Sequence, residues 1–96
     1  MSRSITGTCL CGAVSISCGK PLSPGAYCHC EDCRKSTGSA FSVAIPFEAA
    51  EFRVLSGETR SFTKVADSGN EIRRHFCSSC GSPLYGTSPS TPAGSM

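Results

Sequence analysis

Residues 28–33 read CHCEDC, with thiols at Cys28, Cys30 and Cys33 and His29 between the first two. Thiols this close do not easily bond among themselves, but they chelate one metal ion well. A zinc site that only holds structure takes four ligands, so a trio either borrows a fourth or leaves one position open. The remaining cysteines bear on that choice. Cys9 and Cys11 form a CxC, Cys77 and Cys80 form a CxxC within CSSCG, and Cys18 stands apart. The two outer pairs make a complete set of four. Joining them through one ion would tie the first strand of the domain to the last across a long loop. A chain of 96 residues buries only a modest core and gains from such a staple. Cys9, Cys11, Cys77 and Cys80 are therefore expected to form a closed structural site. Cys28, Cys30 and Cys33 are expected to hold a second zinc with a free position, the pattern of a catalytic site.

Composition narrows the class. Charged residues are 17 % of the chain and Trp is absent, which does not describe a highly charged disordered chain. No run of about 18 apolar residues occurs, so no membrane span is expected. The opening MSRSITGTCLCG lacks the apolar segment of a secretory signal, and a cytoplasmic location with reduced thiols is expected. The formal charge is +2 with neutral thiols. Seven thiolates on two Zn²⁺ would bring it to −1, which argues against a generic basic nucleic-acid surface.

Strand-like alternation dominates and no long amphipathic helix is visible. Val14, Ile16 and Cys18 alternate with Ser15 and Ser17. Phe41, Val43 and Ile45 do the same up to Pro46, which is expected to end that strand. Phe52 with Val54, then Ser61–Val65, then Ile72, Arg74 and Phe76 mark further strands. Ser56-Gly57 and DSGN at 67–70 read as turns. Asp32–Thr37 reads as one short helical turn ended by Gly38. The result is a mainly β domain of short antiparallel strands over residues 1–86. Residues 87–96 are small, polar and Pro-rich and are expected to be a disordered tail.

Other polar residues near the clusters have plainer readings. His29 points away from Cys28 and Cys30 if the segment is extended, and reads as a surface or supporting histidine. His75 reads as an exposed strand residue. Glu31 and Asp32 read as solvated charges. Cys18 continues the Val14–Ile16 face and reads as a small buried apolar residue. Arg34, Lys35, Arg73 and Arg74 read either as surface charge or as partial offset to zinc–thiolate charge.

The motifs GTCLCGAV, CHCEDCRKSTGSAF and RRHFCSSCGSPLY, taken together in order, resemble the glutathione-dependent formaldehyde-activating enzyme family, which also includes centromere protein V. The resemblance covers about residues 5–85. It implies a small zinc-stapled β-tent, a structural zinc on the outer two pairs and a catalytic zinc on Cys28, Cys30 and Cys33. It also implies carbon–sulfur lyase chemistry of the S-(hydroxymethyl)glutathione synthase type, with glutathione or another small thiol as substrate. Relatives continue past the CGSPL-like segment with further strands, so a sheet edge left open here, covered by a second copy in a homodimer, is a further expectation.

The competing reading is a non-enzymatic zinc-binding module, or an inactive relative, that mediates protein contact. A pure module has no need of an open three-thiolate position. A zinc-ribbon nucleic-acid binder would show two CxxC pairs and a basic, aromatic face. A thioredoxin-like redox protein would place its CxxC in a βαβ pattern, which neither Cys30–Cys33 nor Cys77–Cys80 has.

Overall fold

The computed structural model describes residues 5–19, 25–88 and 93–95. Among the described residues, ten short strands and one helix follow one another, the helix between the third and fourth strands. The strands are β1 (Ile5–Thr8), β2 (Ser15–Cys18), β3 (Ala26–Cys28), β4 (Ser42–Ala44), β5 (Pro46–Glu48), β6 (Arg53–Ser56), β7 (Thr59–Val65), β8 (Glu71–Cys77), β9 (Pro83–Thr87) and β10 (Ala93–Ser95). The helix α1 spans Glu31–Thr37, and a single 3₁₀ turn covers Ala49–Glu51. This is the expected mainly β fold of short antiparallel strands.

Three sheets form among the described residues, in orders β1-β2-β6, β5-β10-β9-β8-β7 and β3-β4, with antiparallel pairing throughout. Strand β2 buries Ile16 and Cys18 and leaves Ser15 and Ser17 half-exposed, as its alternation requires. The turn at Gly57 packs against the first CxC loop. Gly57 has φ +86°, and a Cβ there would come within 2.3 Å of Ala13 O, so only glycine fits. Strands β7 and β8 form a hairpin in full register from Thr59↔Cys77 to Val65↔Glu71, closed by the loop over 66–70.

Helix α1 forms where two short-range signals coincide. Cys30 is its N-cap, its sulfur accepting from Cys33 N at 3.3 Å. Gly38 ends it in the left-handed conformation, with its N–H on Arg34 O. The ion pair of Glu31 with Lys35 (2.9 Å) lies in solvent, whereas Asp32 reaches Lys64 and ties α1 to β7.

The core is small. Among the described residues the buried apolar side chains are Val14, Ile16, Phe47, Leu84 and four cysteines. Half of the buried set is therefore thiol, and Cys9 and Cys77 sit in the main cluster with Val14, Ile16 and Leu84. A core of this size leaves much of the stability to whatever joins the sulfurs.

One expectation holds with an addition and two need correction. The strand before Pro46 does end there, at Ala44, and Pro46 is also the first residue of β5, a position where its missing N–H is tolerated. The stretch read as a disordered tail from 87 contains β10, which pairs with both β9 and β5. Main-chain pairing needs no apolar side chain, so composition was a poor guide at 93–95; residues 89–92 and 96 lie outside the described residues. Strand β9 is consequently not an edge, and the edges of the large sheet are β5 and β7.

Candidate functional site

The sulfurs of Cys9, Cys11, Cys77 and Cys80 all lie within 4.8 Å of one another. Cys9 Sγ is 3.5 Å from Cys11 Sγ, which is 3.8 Å from Cys77 Sγ. A tetrahedron of sulfurs about 2.3 Å from a zinc ion has edges of about 3.8 Å, so this set fits the ion. Two tight turns aim the sulfurs. In the first, Gly12 N donates to Cys9 O and Val14 N donates to Cys9 Sγ at 3.2 Å. In the second, Gly81 N donates to Cys77 O while Ser79 N and Cys80 N donate to Cys77 Sγ at 3.3 and 3.4 Å. Ser82 locks the turns together: its Oγ accepts from Leu10 N at 3.0 Å and lies 3.1 Å from Cys80 Sγ.

The second group is Cys28, Cys30 and Cys33, again mutually within 4.8 Å. Strand β3 delivers Cys28, and the N-cap of α1 delivers Cys30. One helical turn then brings Cys33 back beside them, buried while Cys30 is exposed. Thr37 Oγ1 and Ser36 Oγ both donate to Cys33 O, at 2.8 and 3.3 Å. All eight cysteines are free thiols.

Electrostatics at both groups calls for a cation. In the outer group the Ser82 hydroxyl, with backbone N–H groups, pulls the Cys80 thiol down to about 5. Cys11 has a backbone hydrogen bond at Ala13 favouring its thiolate, but the sulfurs of Cys9 and Cys80 outweigh it and push the thiol up to about 11. In the trio, burial disfavours the Cys33 thiolate, yet hydrogen bonds from Ser42, Cys30, Cys28 and Arg74 prevail and bring it to about 7. Cys28 goes the other way: a backbone hydrogen bond at Cys30 favours its thiolate but loses to the neighbouring sulfurs, and its thiol is raised. Thiols this close resist ionising together unless a positive ion sits among them. The donor set and its charge demand both suit zinc.

The trio forms part of the wall of a cavity of about 860 Å³, which reaches from β3 and α1 to β7, β8 and β9. Its lining is chiefly apolar, with Val43, Phe62, Ile72, Leu84 and Tyr85 among it. Arg74 projects from β8 into this wall and its guanidinium approaches Cys33 Sγ at 4.0 Å. The outer four sulfurs are not in the lining, although Gly81 of their second turn is.

Most of the other polar residues stand where the sequence suggested. Cys18 is buried, at 1 % exposure, and burial raises its thiol. His29 is exposed, 5.4 Å from the Phe41 ring, and is outside both sulfur groups. Lys35 pairs with Glu31 in solvent, and Arg73 Nε donates to Thr63 Oγ1. Asp32 is held by Lys64 rather than freely solvated.

His75 corrects the reading of an exposed strand residue. It is half-buried, lines the cavity, stacks on Tyr85 with ring centroids 4.2 Å apart and 7° between planes, and has Nε2 3.1 Å from Thr87 Oγ1. Burial, then the Arg73 charge, lowers its pKa. The pairing of β8 with β9 slips between His75 and Phe76: Tyr85 faces His75 but Pro83 faces Phe76, leaving Leu84 extra. That bulge re-aims the side chains at the cavity wall. Its position is not readable from alternation.

The family model described as glutathione-dependent formaldehyde-activating enzyme matches residues 4–96. A Halomonas elongata protein whose name carries the same description is 32 % identical over 95 residues, covering 92 % of this chain. The chain spans 59 % of that relative's length. A crystal structure of a Rhodobacter sphaeroides protein superposes with a TM-score of 0.74 at 24 % identity, over 96 % of this chain and 83 % of the other, a likeness of fold. The chain belongs to the glutathione-dependent formaldehyde-activating enzyme family.

Proposed function

We propose that the chain is a zinc-dependent enzyme of carbon–sulfur lyase type, acting on a glutathione or other thiol adduct as in S-(hydroxymethyl)glutathione synthesis. The observation that carries this reading is the difference between the two sulfur groups. Four sulfurs make a closed set apart from the cavity, while three line an apolar cavity large enough for a tripeptide thiol.

Cys9, Cys11, Cys77 and Cys80 would hold a structural zinc, and Cys28, Cys30 and Cys33 a catalytic one. Zinc in the second position would supply a Lewis-acidic site at which a substrate thiol stays ionised at neutral pH. In the reaction the sulfur–carbon bond forms at the carbonyl carbon of formaldehyde, and the proton lost from sulfur ends on the carbonyl oxygen. Arg74 offsets the negative charge collected at Cys33. The cytoplasm, with its reduced thiols and glutathione, suits this chemistry.

The test is Cys30→Ala. It should abolish formaldehyde consumption above the uncatalysed rate with glutathione, leaving the circular dichroism spectrum and melting point near wild type. Unchanged turnover would sink the reading.

A second reading, a zinc-stabilised module for protein contact, draws on the exposed apolar face of β3 and β4. Tyr27 is 69 % and Val43 57 % exposed there, beside the partly exposed Phe41 ring. Intact zinc sites with no thiol-dependent turnover would favour it. A homodimer pairing along β7, the edge strand with most of its side chains exposed, fits either reading; a monomer mass by light scattering would remove it.

A further inference from the structure

Arg74 is the cation that the cavity wall leaves without a carboxylate. The ion pairs among the described residues are Glu31–Lys35 and Asp32–Lys64. Asp32, the carboxylate on the cavity wall, is thus engaged by Lys64, and Arg74 adds only a weaker attraction to it. Among the described residues, the one side-chain hydrogen bond of the Arg74 guanidinium is its approach to Cys33 Sγ. A guanidinium carries five N–H donors in a fork that matches a carboxylate. One donor faces sulfur, and Phe62, paired with Arg74 across β7 and β8, can accept none of the rest. Donors on a cavity wall that no carboxylate engages suit an anionic ligand.

We propose that Arg74 anchors a carboxylate of the thiol substrate. The site then selects thiols whose carboxylate can reach the guanidinium over neutral or cationic thiols of equal size. This rests on the reading of Cys28, Cys30 and Cys33 as the thiol-binding centre. A substrate sulfur held beside Cys33 is also beside the guanidinium, so a chain that folds back or a short one brings its carboxylate there. The apolar lining takes the rest of the molecule.

The experiment is calorimetric titration of the zinc-loaded protein with 3-mercaptopropionate, 3-mercaptopropionamide and cysteamine, which differ in charge at similar size. The wild type should bind the acid about tenfold or more tightly than the amide, with cysteamine weakest. Arg74→Gln should weaken the acid about tenfold more than the amide, and Arg74→Lys should recover part of the preference. Equal binding of acid and amide by the wild type overturns the anchor while leaving the thiol site standing. So does Arg74→Gln weakening both alike, because Arg74 would then serve only Cys33. Glutathione is titrated in parallel: if it binds while none of the three small thiols does, the anchor fails and the thiol site stands, and if nothing binds, the thiol-site reading fails and the anchor fails with it.

Discussion

Cys11 Sγ lies 3.8 Å from Cys77 Sγ although 66 residues separate them. Ser82 reinforces the junction by accepting from Leu10 N while contacting Cys80. The junction draws on the loop after β1 and the turn after β8, and it abuts the core cluster of Val14, Ile16 and Leu84. An ion at this point closes most of the chain into one loop, so its binding energy is folding energy. The trio, by contrast, uses residues within six positions of one another and closes almost no loop.

The two groups should therefore respond differently to mutation. Cys77→Ser should cost about 4 kcal/mol or more of stability, the range that loss of a structural metal reaches. Cys30→Ser should remove one equivalent of metal and leave the denaturation midpoint near wild type. Urea melts with parallel metal analysis check both, and equal destabilisation by the two would contradict the division of roles.

Gly57 offers a test of how tightly the turn after β6 grips the first CxC loop. Both Gly57 and Gly69 have positive φ, +86° and +90°, but a Cβ at Gly57 meets Ala13 O at 2.3 Å whereas one at Gly69 meets nothing within 4 Å. Gly69→Ala should cost about 1 kcal/mol, the strain of the backbone alone. Gly57→Ala should cost clearly more, since the backbone of residues 13 and 14 must also move. Chemical denaturation of the two variants side by side gives the comparison.

The Asp32–Lys64 pair predicts a pH dependence on the acid side. The Lys64 hydrogen bond holds the Asp32 carboxyl below its ordinary value, against a smaller opposing effect of burial. A carboxyl lowered in the folded state contributes stability that is present above its unfolded pKa and is lost as pH falls through the folded one. Lys64 is raised, chiefly by the same hydrogen bond, so its share is present below its unfolded pKa and is lost as pH rises through the folded value. The stability difference between wild type and Lys64→Gln should be level across neutral pH and shrink below the ordinary carboxylate range. A difference that stays constant down to strongly acid pH would contradict the pairing.

Much of this architecture was legible because its determinants are local. Ligand spacing alone divides seven cysteines into an outer four and an inner three, and the sulfurs group that way. The helix over Glu31–Thr37 could be read from the residues after Cys30 and from Gly38. Strands β2, β4, β6, β7 and β8 follow from alternation. What escaped was long-range. In β1, ITGT carries a single large apolar residue and becomes a strand because β2 pairs with it. Strand β10 is built by main-chain pairing in a segment whose composition suggests none. His75 gained its cavity position from a slip in register opposite Leu84 and from Thr87 on the next strand. Arg74 was one of four cations near the clusters, and only the packing of β8 against the trio distinguishes it.

The measurement that decides most is zinc per chain, by elemental analysis of protein purified under reducing conditions, with and without glutathione. Two sulfur groups that each hold an ion predict close to two zinc ions per chain, falling to one in Cys30→Ser. A value near one in the wild type that zinc resupply does not raise would mean that only the outer four cysteines bind metal, and would contradict a catalytic centre at Cys28, Cys30 and Cys33.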